Sequence, residues 1–368
     1  MLNQLPFSMG EVLALCGVRH GGNSKKEICP FCGSKSMYYE LKKGAYHCFK
    51  CDKKGGMLDF YRNYMNKSDN KEAYSEIMKA LYGEDTASEE RKKKIEKRKE
   101  EIKKYEVKEE PIRSIKDRDV TYEMLLKMIP LAEDHVQNLL NRGLTKETIL
   151  KNEYRTLPHD CLDDMCVKLL EKGVYLDGVP GFYKDRNTWR LRTGKRGIMV
   201  PIRNHENLIQ GFQIRKDSNL LSEDEGKYSW LSSKGCTSGT GIPGAVHYAC
   251  DFEDGVPIIK GNSICLTEGA LKGDIAHQVS GKPFISVPGV NCLNQLKPEL
   301  IWLKENCGIK NVLNCYDMDY KTNPNVQKAL NNTNDMIREI GLTPIRLEWN
   351  DEYKGIDDYL VAMAKKGK

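Results

Sequence analysis

The sequence predicts a multidomain protein of mixed α+β and α/β class, and three observations carry that prediction. Two close-set cysteine pairs lie near the N-terminus. A stretch of dense charge follows at residues 84–110. Beyond residue 263, short apolar runs alternate with helical stretches, the pattern of a parallel sheet with helices on its faces. The expected order is a small β module over residues 1–83, a charged helical tether over 84–118, a mixed α+β half over 119–258 and an α/β parallel-sheet domain over 259–368.

The first module opens on an amphipathic segment (Val12, Leu13, Leu15) and then carries Cys29-Pro-Phe-Cys32 and Cys48-Phe-Lys-Cys51. Each C-x2-C knuckle lets two thiolates converge, and two knuckles complete a soft, closed tetrahedron that suits one structural zinc. A ribbon this short buries too little apolar surface to fold alone, so the ion supplies the stability. A closed site leaves no position for substrate, which assigns it structure and recognition, not catalysis. His47 adjoins Cys48 and reads as a ribbon-surface side chain, with a ligand role as the alternative. Met37, Tyr38 and Tyr39 and then Ala45 and Tyr46 alternate as a hairpin does, amid Lys35, Lys42, Lys43, Lys50, Lys53 and Lys54. Two readings stand for the tyrosines: stacking faces for unpaired bases, or the core of the module. Met57, Leu58, Phe60, Tyr61 and Tyr64 form one helical stripe, and Ala73, Ile77, Ala80 and Leu81 continue it.

Residues 84–110 hold 10 basic and 10 acidic residues and three aliphatic ones, so no apolar face exists to dock them. Glu/Lys pairs at helical spacing predict a solvated helix or charged tether that Pro111 ends. Residues 119–155 then read as short helices, with Thr145 and Thr148 marking a start after a stop at Gly143. From Gly178 the texture changes to strands, and RGIMVPIRN with NLIQGFQIRKD forms a hairpin whose turn includes Asn204.

Charge is unevenly distributed. The net charge is +6, yet residues 1–83 hold 13 Lys+Arg against 8 Asp+Glu, and residues 184–216 hold 9 against 2. Those zones carry +12, leaving −6 elsewhere. This fits polyanion contact at defined places, or two solvated faces. Arg203 and Arg215 suit phosphate contacts, with Arg196 a third candidate; Lys216, Lys227 and Lys234 lie beside them. Trp189 and Phe212 lie among these charges, and Trp230 reads as core.

In the last region, Thr267-Glu268-Gly269 follows the strand ICLT and opens a helix, and Tyr316-Asp317-Met318-Asp319 ends the strand NVLNC. Loops at the carboxyl ends of parallel strands form the ligand crevice, so both groups point into one cleft. Asp317 and Asp319, two apart, face one side if strand geometry persists through them. Such carboxylates are hard-oxygen ligands for Mg²⁺ or Mn²⁺, the ions of phosphoryl-transfer sites. No apolar run approaches a membrane span, and the N-terminus lacks the marks of a signal peptide. An odd count of 13 cysteines, most scattered singly, predicts reduced thiols and a cytoplasmic setting.

Taken together, ICPFC…GAYHCFKCDKKGGMLDFY resembles the zinc ribbon of bacterial-type (DnaG-like) DNA primases, with Cys32 where the family commonly has histidine and His47 at its non-ligand position. LTEGALKGDIAHQV, SVPGVN and NCYDMDYKTNPNVQKAL resemble the Toprim fold. RGIMVPIRNHENLIQGFQIRKD and KYSWLSSKG resemble the basic half of the primase core, and NRGLTKETI the helical segment before it. KGIDDYL resembles the closing acidic motif. The resemblance implies a primase that makes short RNA primers on single-stranded DNA from ribonucleoside triphosphates, with zinc in the ribbon and Mg²⁺ or Mn²⁺ in the Toprim domain. Glu268 would be the catalytic glutamate, Asp317 and Asp319 would hold the divalent ions, and Asp357, with Asp358 beside it, would add a carboxylate. The pattern departs at two places: Lys272 stands where many primases have an acid, with Asp274 two residues on, and Gly355 stands where an aspartate is common. The cluster would then hold one ion tightly and recruit the second with the nucleotide. Lys272 is read either as a phosphate contact or as a helix-surface lysine.

Two other classes compete: a Toprim nuclease with a zinc-ribbon DNA clamp, and a non-catalytic DNA-binding replication accessory. No G-x4-G-K-[ST] phosphate loop is present, and only eight residues follow Leu360. The expectation is a compact primase of a plasmid, phage or other mobile element, with any replicative helicase acting in trans.

Overall fold

The computed structural model describes residues 5–21, 26–41, 43–83, 109–157, 163–185, 187–222, 225–289 and 292–366. Most of the expected tether, residues 84–108, and Lys42 lie outside them. The chain divides into two units, residues 1–106 and 107–368.

In the first unit, Ser8 starts α1 (Met9–Leu15) through a capping box: its Oγ accepts from Glu11 N, and Glu11 Oε2 accepts from Ser8 N at 2.7 Å. Strands β1 (Glu27–Ile28), β2 (Lys35–Glu40), β3 (Ala45–Cys48) and β4 (Lys54–Gly56) form an antiparallel meander, followed by α2 (Met57–Tyr64) and α3 (Asn70–Tyr82). Period-2 alternation settles the tyrosines. Tyr39 and Tyr46 are paired across β2 and β3, and both are buried against Phe60, with ring centroids 5.8 and 5.0 Å away. These two are core, whereas Tyr38, on the other face of β2, is only partly buried. On α3, Ala73, Ile77 and Met78 face inward, whereas Ala80, expected on the stripe, is exposed.

The second unit begins with three helices, α4 (Ile115–Leu126), α5 (Glu133–Asn141) and α6 (Lys146–Lys151). Thr145 caps α6, its Oγ1 accepting from Thr148 N at 3.1 Å. There follow β5 (Arg155–Leu157), α7 (Asp163–Glu171) and a hairpin of β6 (Phe182–Asp185) and β7 (Thr188–Leu191). Next come β8 (Gly197–Arg203), β9 (Ile209–Lys216) and β10 (Tyr228–Trp230), giving an antiparallel sheet in the order β10-β9-β8-β5. Asn204 forms the β8–β9 turn, its Oδ1 accepting from Glu206 N and Leu208 N.

A five-stranded sheet completes the unit. After β11 (His247–Ala249) and a small hairpin of β12 (Phe252–Glu253) and β13 (Val256–Pro257) come β14 (Ser263–Glu268), α8 (Ala270–Ser280), β15 (Phe284–Val287), α9 (Leu293–Cys307), β16 (Asn311–Asn314), α10 (Pro324–Glu339), β17 (Thr343–Arg346) and α11 (Ile356–Lys366). The order is β11-β15-β14-β16-β17, parallel throughout except for β11 at one edge. That edge strand comes from upstream of residue 259. The right-handed crossovers of such a sheet leave the carboxyl ends of β14 and β16 side by side. Gly273 lets α8 lie close on the sheet, since a Cβ there would come within 2.2 Å of Ser286 Oγ. No helix among the described residues is long and apolar enough to cross a membrane.

Leu266 sits on the central strand with 0% exposure, between β15 and β16. Leu266→Ala is expected to lower stability by about 2–5 kcal/mol in urea unfolding, because a cavity is left where the sheet cannot relax. Leu150, 74% exposed, is the control, and Leu150→Ala is expected to shift stability by at most about 0.5 kcal/mol.

Candidate functional site

The cysteine knuckles are built by turns. Cys29 N donates to Ser34 O and Gly33 N to Cys29 O, with Gly33 at φ +70°, so the first knuckle folds back on itself. In the second, Cys48 N donates to Lys53 O and Asp52 takes φ +54°. Sulfur separations are 3.9 Å for Cys29–Cys51 and 3.8 Å for Cys32–Cys48, and all four sulfurs lie within 4.8 Å of one another. Tetrahedral zinc with Zn–S bonds of ~2.3 Å spaces its sulfurs ~3.8 Å apart, so the four cysteines fit the ion. Burial opposes ionisation of Cys48, but the N–H groups of Cys51 and Lys50 donate toward its sulfur and the thiol settles at about 6.

His47 lies outside the sulfur cluster. Its Nε2 is 2.8 Å from Asp52 Oδ1, and its ring packs 4.2 Å from that of Phe49. Tyr38, opposite His47 in the ladder, meets Phe49 edge-on at 5.3 Å. Phe49 is 68% exposed, and Lys50, Lys53 and Lys54 are exposed as well, with Lys53 Nζ 4.5 Å over the Phe31 ring and Lys54 paired with Asp52 at 3.2 Å. This is the module's aromatic surface, and the hairpin alternation missed its centre because Phe49 lies in the second knuckle, past the strand. The residues alone carried no signal for this, since Phe31, between the cysteines of the first knuckle, instead packs partly buried against Tyr46 and Phe60.

The acidic groups meet at the carboxyl edge of the parallel sheet. Strand β14 ends at Glu268, and Gly269, at φ +85°, turns the chain into α8, whose first turn carries Lys272. Beyond β16, strand geometry does not persist as expected. The strand ends at Asn314, and Asp317 precedes a 3-10 turn, Met318–Lys321, that holds Asp319. The two aspartates are therefore gathered by the turn, not by alternation. Lys354 Nζ spans them, 2.8 Å from Asp319 Oδ2 and 3.9 Å from Asp317 Oδ2, while Met318 N donates to Lys354 O. Lys272 Nζ lies 2.5 Å from Asp317 Oδ1.

The Glu268 side chain is half-buried and has no hydrogen bond or ion pair among the described residues. Burial raises its pKa; the Lys272 charge opposes the shift, and Asp317 and Asp319 add to it. Asp357, in the first turn of α11, is 2% exposed; its Oδ2 accepts from Arg142 at 3.2 Å and its Oδ1 has no partner among the described residues. Burial raises its pKa as well, with the Asp358 charge adding to that. Asp319 Oδ1 is likewise buried without a partner. Hard oxygen donors with unpartnered oxygens fit Mg²⁺ or Mn²⁺. Asp358 faces solvent. Asp274 belongs elsewhere. Its oxygens accept from Tyr154 Oη at 2.5 Å and from His247 Nε2 at 3.0 Å, the tautomer being set by Arg203 N donating to His247 Nδ1.

Most of the predicted phosphate contacts are engaged within the fold. Arg196 bridges Asp134 and Asp217 at 2.7 Å each, and the Arg196 guanidinium holds Asp134 down at about 2. Asp134, His135 and Asp217 also have metal-capable spacing, but Arg196 already supplies the cation there. Arg203 pairs with Glu153 at 2.6 Å, Arg215 donates to Asn138 Oδ1 at 3.1 Å, and Lys216 pairs with Glu225 at 2.9 Å. Lys227 and Lys234 are exposed. Lys234 borders a cleft whose lining includes Arg192, Lys195, Trp230, Leu157 and Leu231. Trp230, expected in the core, is only partly buried and forms part of that lining.

Comparison with protein families matches residues 12–94 to the CHC2 zinc finger and residues 258–367 to a domain of unknown function, DUF3854. No curated protein matches the sequence. Among solved structures, the zinc-binding and RNA polymerase domains of the Aquifex aeolicus primase match at 15% identity, over 97% of this chain and 81% of that one, with a TM-score of 0.51. The RNA polymerase domain of the Mycobacterium tuberculosis primase DnaG, solved with double-stranded DNA, matches at 16% identity, over 69% and 80%, with a TM-score of 0.51.

The sulfur geometry and the CHC2 match lead to one expected outcome. The purified chain contains one zinc, Cys48→Ser contains essentially none, and the variant's first module becomes protease-sensitive because the ion contributes on the order of 10 kcal/mol to its folding. Metal analysis with limited proteolysis checks this. By these matches, the chain joins a CHC2-type zinc finger to a body that has the fold of the primase RNA polymerase domain.

Proposed function

We propose that this chain is a DNA primase, a DNA-directed RNA polymerase that makes short primers on single-stranded template. The observation that carries the reading is the meeting of Glu268, Asp317 and Asp319 at the carboxyl edge of β14 and β16. In this reading the 3′-hydroxyl of one ribonucleotide attacks the α-phosphate of the next, and pyrophosphate leaves. Glu268, Asp317 and Asp319, with Asp357 behind them, would hold Mg²⁺ or Mn²⁺, which supplies charge stabilisation to the attacking and leaving oxygens. The chain's own part is orientation. Gly269 points Glu268 at the edge, the 3-10 turn presents both aspartates, and Arg142 fixes Asp357 from behind. Lys354, its side chain 65% exposed, can leave the aspartates when substrate arrives.

Template contact is assigned to the Phe49 surface with Lys50, Lys53 and Lys54, and in the body to Lys227, Lys234 and the cleft beside Trp230. The proposed divisions are a ribbon at 1–83, a linker at 84–118, a core half at 119–258 and a Toprim domain at 259–368, to which β11 adds an edge strand. Ribonucleoside triphosphates are the proposed substrates, and a replicative helicase is a partner in trans where one takes part, in a chain of a mobile element. The proposed setting is cytoplasmic, the reading that the odd, mostly scattered cysteines supported.

A priming assay on random single-stranded templates with Mg²⁺ or Mn²⁺ tests the reading. Wild type is expected to extend primers, with Asp317→Asn and Asp319→Asn each reducing synthesis by at least about a hundredfold; DNA cleavage without synthesis would instead identify a nuclease. Phe49→Ala is expected to weaken single-stranded DNA binding about tenfold in fluorescence anisotropy, the worth of one stacked base, while zinc content stays unchanged.

A further inference from the structure

The acidic centre already contains a cation that cannot easily leave. Lys272 rises from the first turn of α8 with its side chain 25% exposed, its ammonium on Asp317 Oδ1, and its charge also felt by Glu268 and Asp357. Lys354 differs: it comes from a loop and its side chain is 65% exposed, so water competes for it.

Gly355 makes room for the Asp357 carboxylate, with the Lys272 stem beside it at ordinary contact distance. A Cβ at 355 would come within 2.4 Å of Asp357 Oδ1 and 3.6 Å of Lys272 Cε. The φ of Gly355 is outside the left-handed region, so glycine serves space here and not conformation. Asp357 Oδ1, in a residue 2% exposed, faces that space without a partner among the described residues. The two positions at which this sequence departs from the pattern it resembles, 272 and 355, thus carry a lysine and a hydrogen, and they adjoin each other.

Charge arithmetic sets the capacity. Glu268, Asp317, Asp319 and Asp357 total −4; Arg142 on Asp357 and Lys272 on Asp317 return +2. Once Lys354 swings away, the remaining −2 matches one divalent cation, and a second would leave the half-buried site with excess positive charge.

We propose that Lys272 is a resident cation filling the place of a second metal ion, so that in the absence of nucleotide the centre takes a single Mg²⁺ or Mn²⁺. Glu268, Asp317 and Asp319, with Asp357 behind them, would hold that ion. This rests on the metal-centre reading above and adds its stoichiometry.

Mn²⁺ titration of the full-length, zinc-loaded chain, followed by calorimetry and electron paramagnetic resonance, tests it. Wild type is expected to bind one Mn²⁺. Lys272→Met, which keeps the length and removes the charge, is expected to bind it about tenfold tighter or more. Lys272→Asp is expected to bind two, with spectral broadening from the Mn–Mn pair. Zinc content and melting temperature report folding, and Lys272→Met decides alone if the aspartate variant does not fold. Two Mn²⁺ on wild type, or unchanged binding in Lys272→Met, overturns the inference while leaving priming by the wild type as a separate matter. No Mn²⁺ on any of the three overturns it together with the metal-centre reading.

Discussion

Carboxylates gathered at a half-buried sheet edge repel one another, and the repulsion grows as surrounding protein replaces water. The body of this protein is arranged around that constraint. Arg142, from the end of α5, compensates Asp357 on α11; Lys272 on α8 compensates Asp317; Lys354, from the loop before α11, reaches Asp317 and Asp319. One of these pairs, Arg142–Asp357, ties residues 215 positions apart. The parallel sheet makes this possible because it brings the ends of β14 and β16 together, and helix starts and turns then aim the side chains. Such an edge is costly for stability taken alone, which is the usual mark of a site kept for chemistry.

The first module answers a different constraint. Its apolar cluster, built on Tyr39, Tyr46, Phe60 and Ile77, is well packed but small. The sulfur tetrahedron ties both knuckles of the meander to one point, which a cluster of that size cannot do. A consequence is that Tyr39 and Tyr46 are needed inside. Phe49, turned outward by its knuckle and flanked by His47 and Tyr38, is left as the aromatic surface beside the lysines.

The basic stretch between residues 184 and 216 also turns out to be largely structural. Arg196, Arg203 and Lys216 each have carboxylate partners that come from other elements or from the β9–β10 connection. Strands β8 and β9 are buried almost throughout, so the arginines at their ends act as ties between the helical segment and the sheet. Net positive charge in a sequence window therefore overstates the free charge of a surface, because acidic partners arrive from distant segments such as Asp134 and Glu153.

Local chemistry was legible from the residues alone: the zinc knuckles, the capping by Thr145, the turn at Asn204, the β8–β9 hairpin, and the strand–helix alternation that places Glu268 at the end of one strand and Asp317 beyond the end of another. Each of these depends on interactions among residues close in the chain, or on a periodicity that burial imposes directly. What only the tertiary structure decided depends on partners far away in sequence. Folding buried Tyr39 and Tyr46, exposed Phe49, ended β16 before the aspartates, paired the arginines, seated Lys272 beside Asp317 and set the Asp357 carboxylate against Gly355. A charge or a ring has no fixed role until folding sets its distance to its counterpart, and that distance is not a property of any local stretch of the chain.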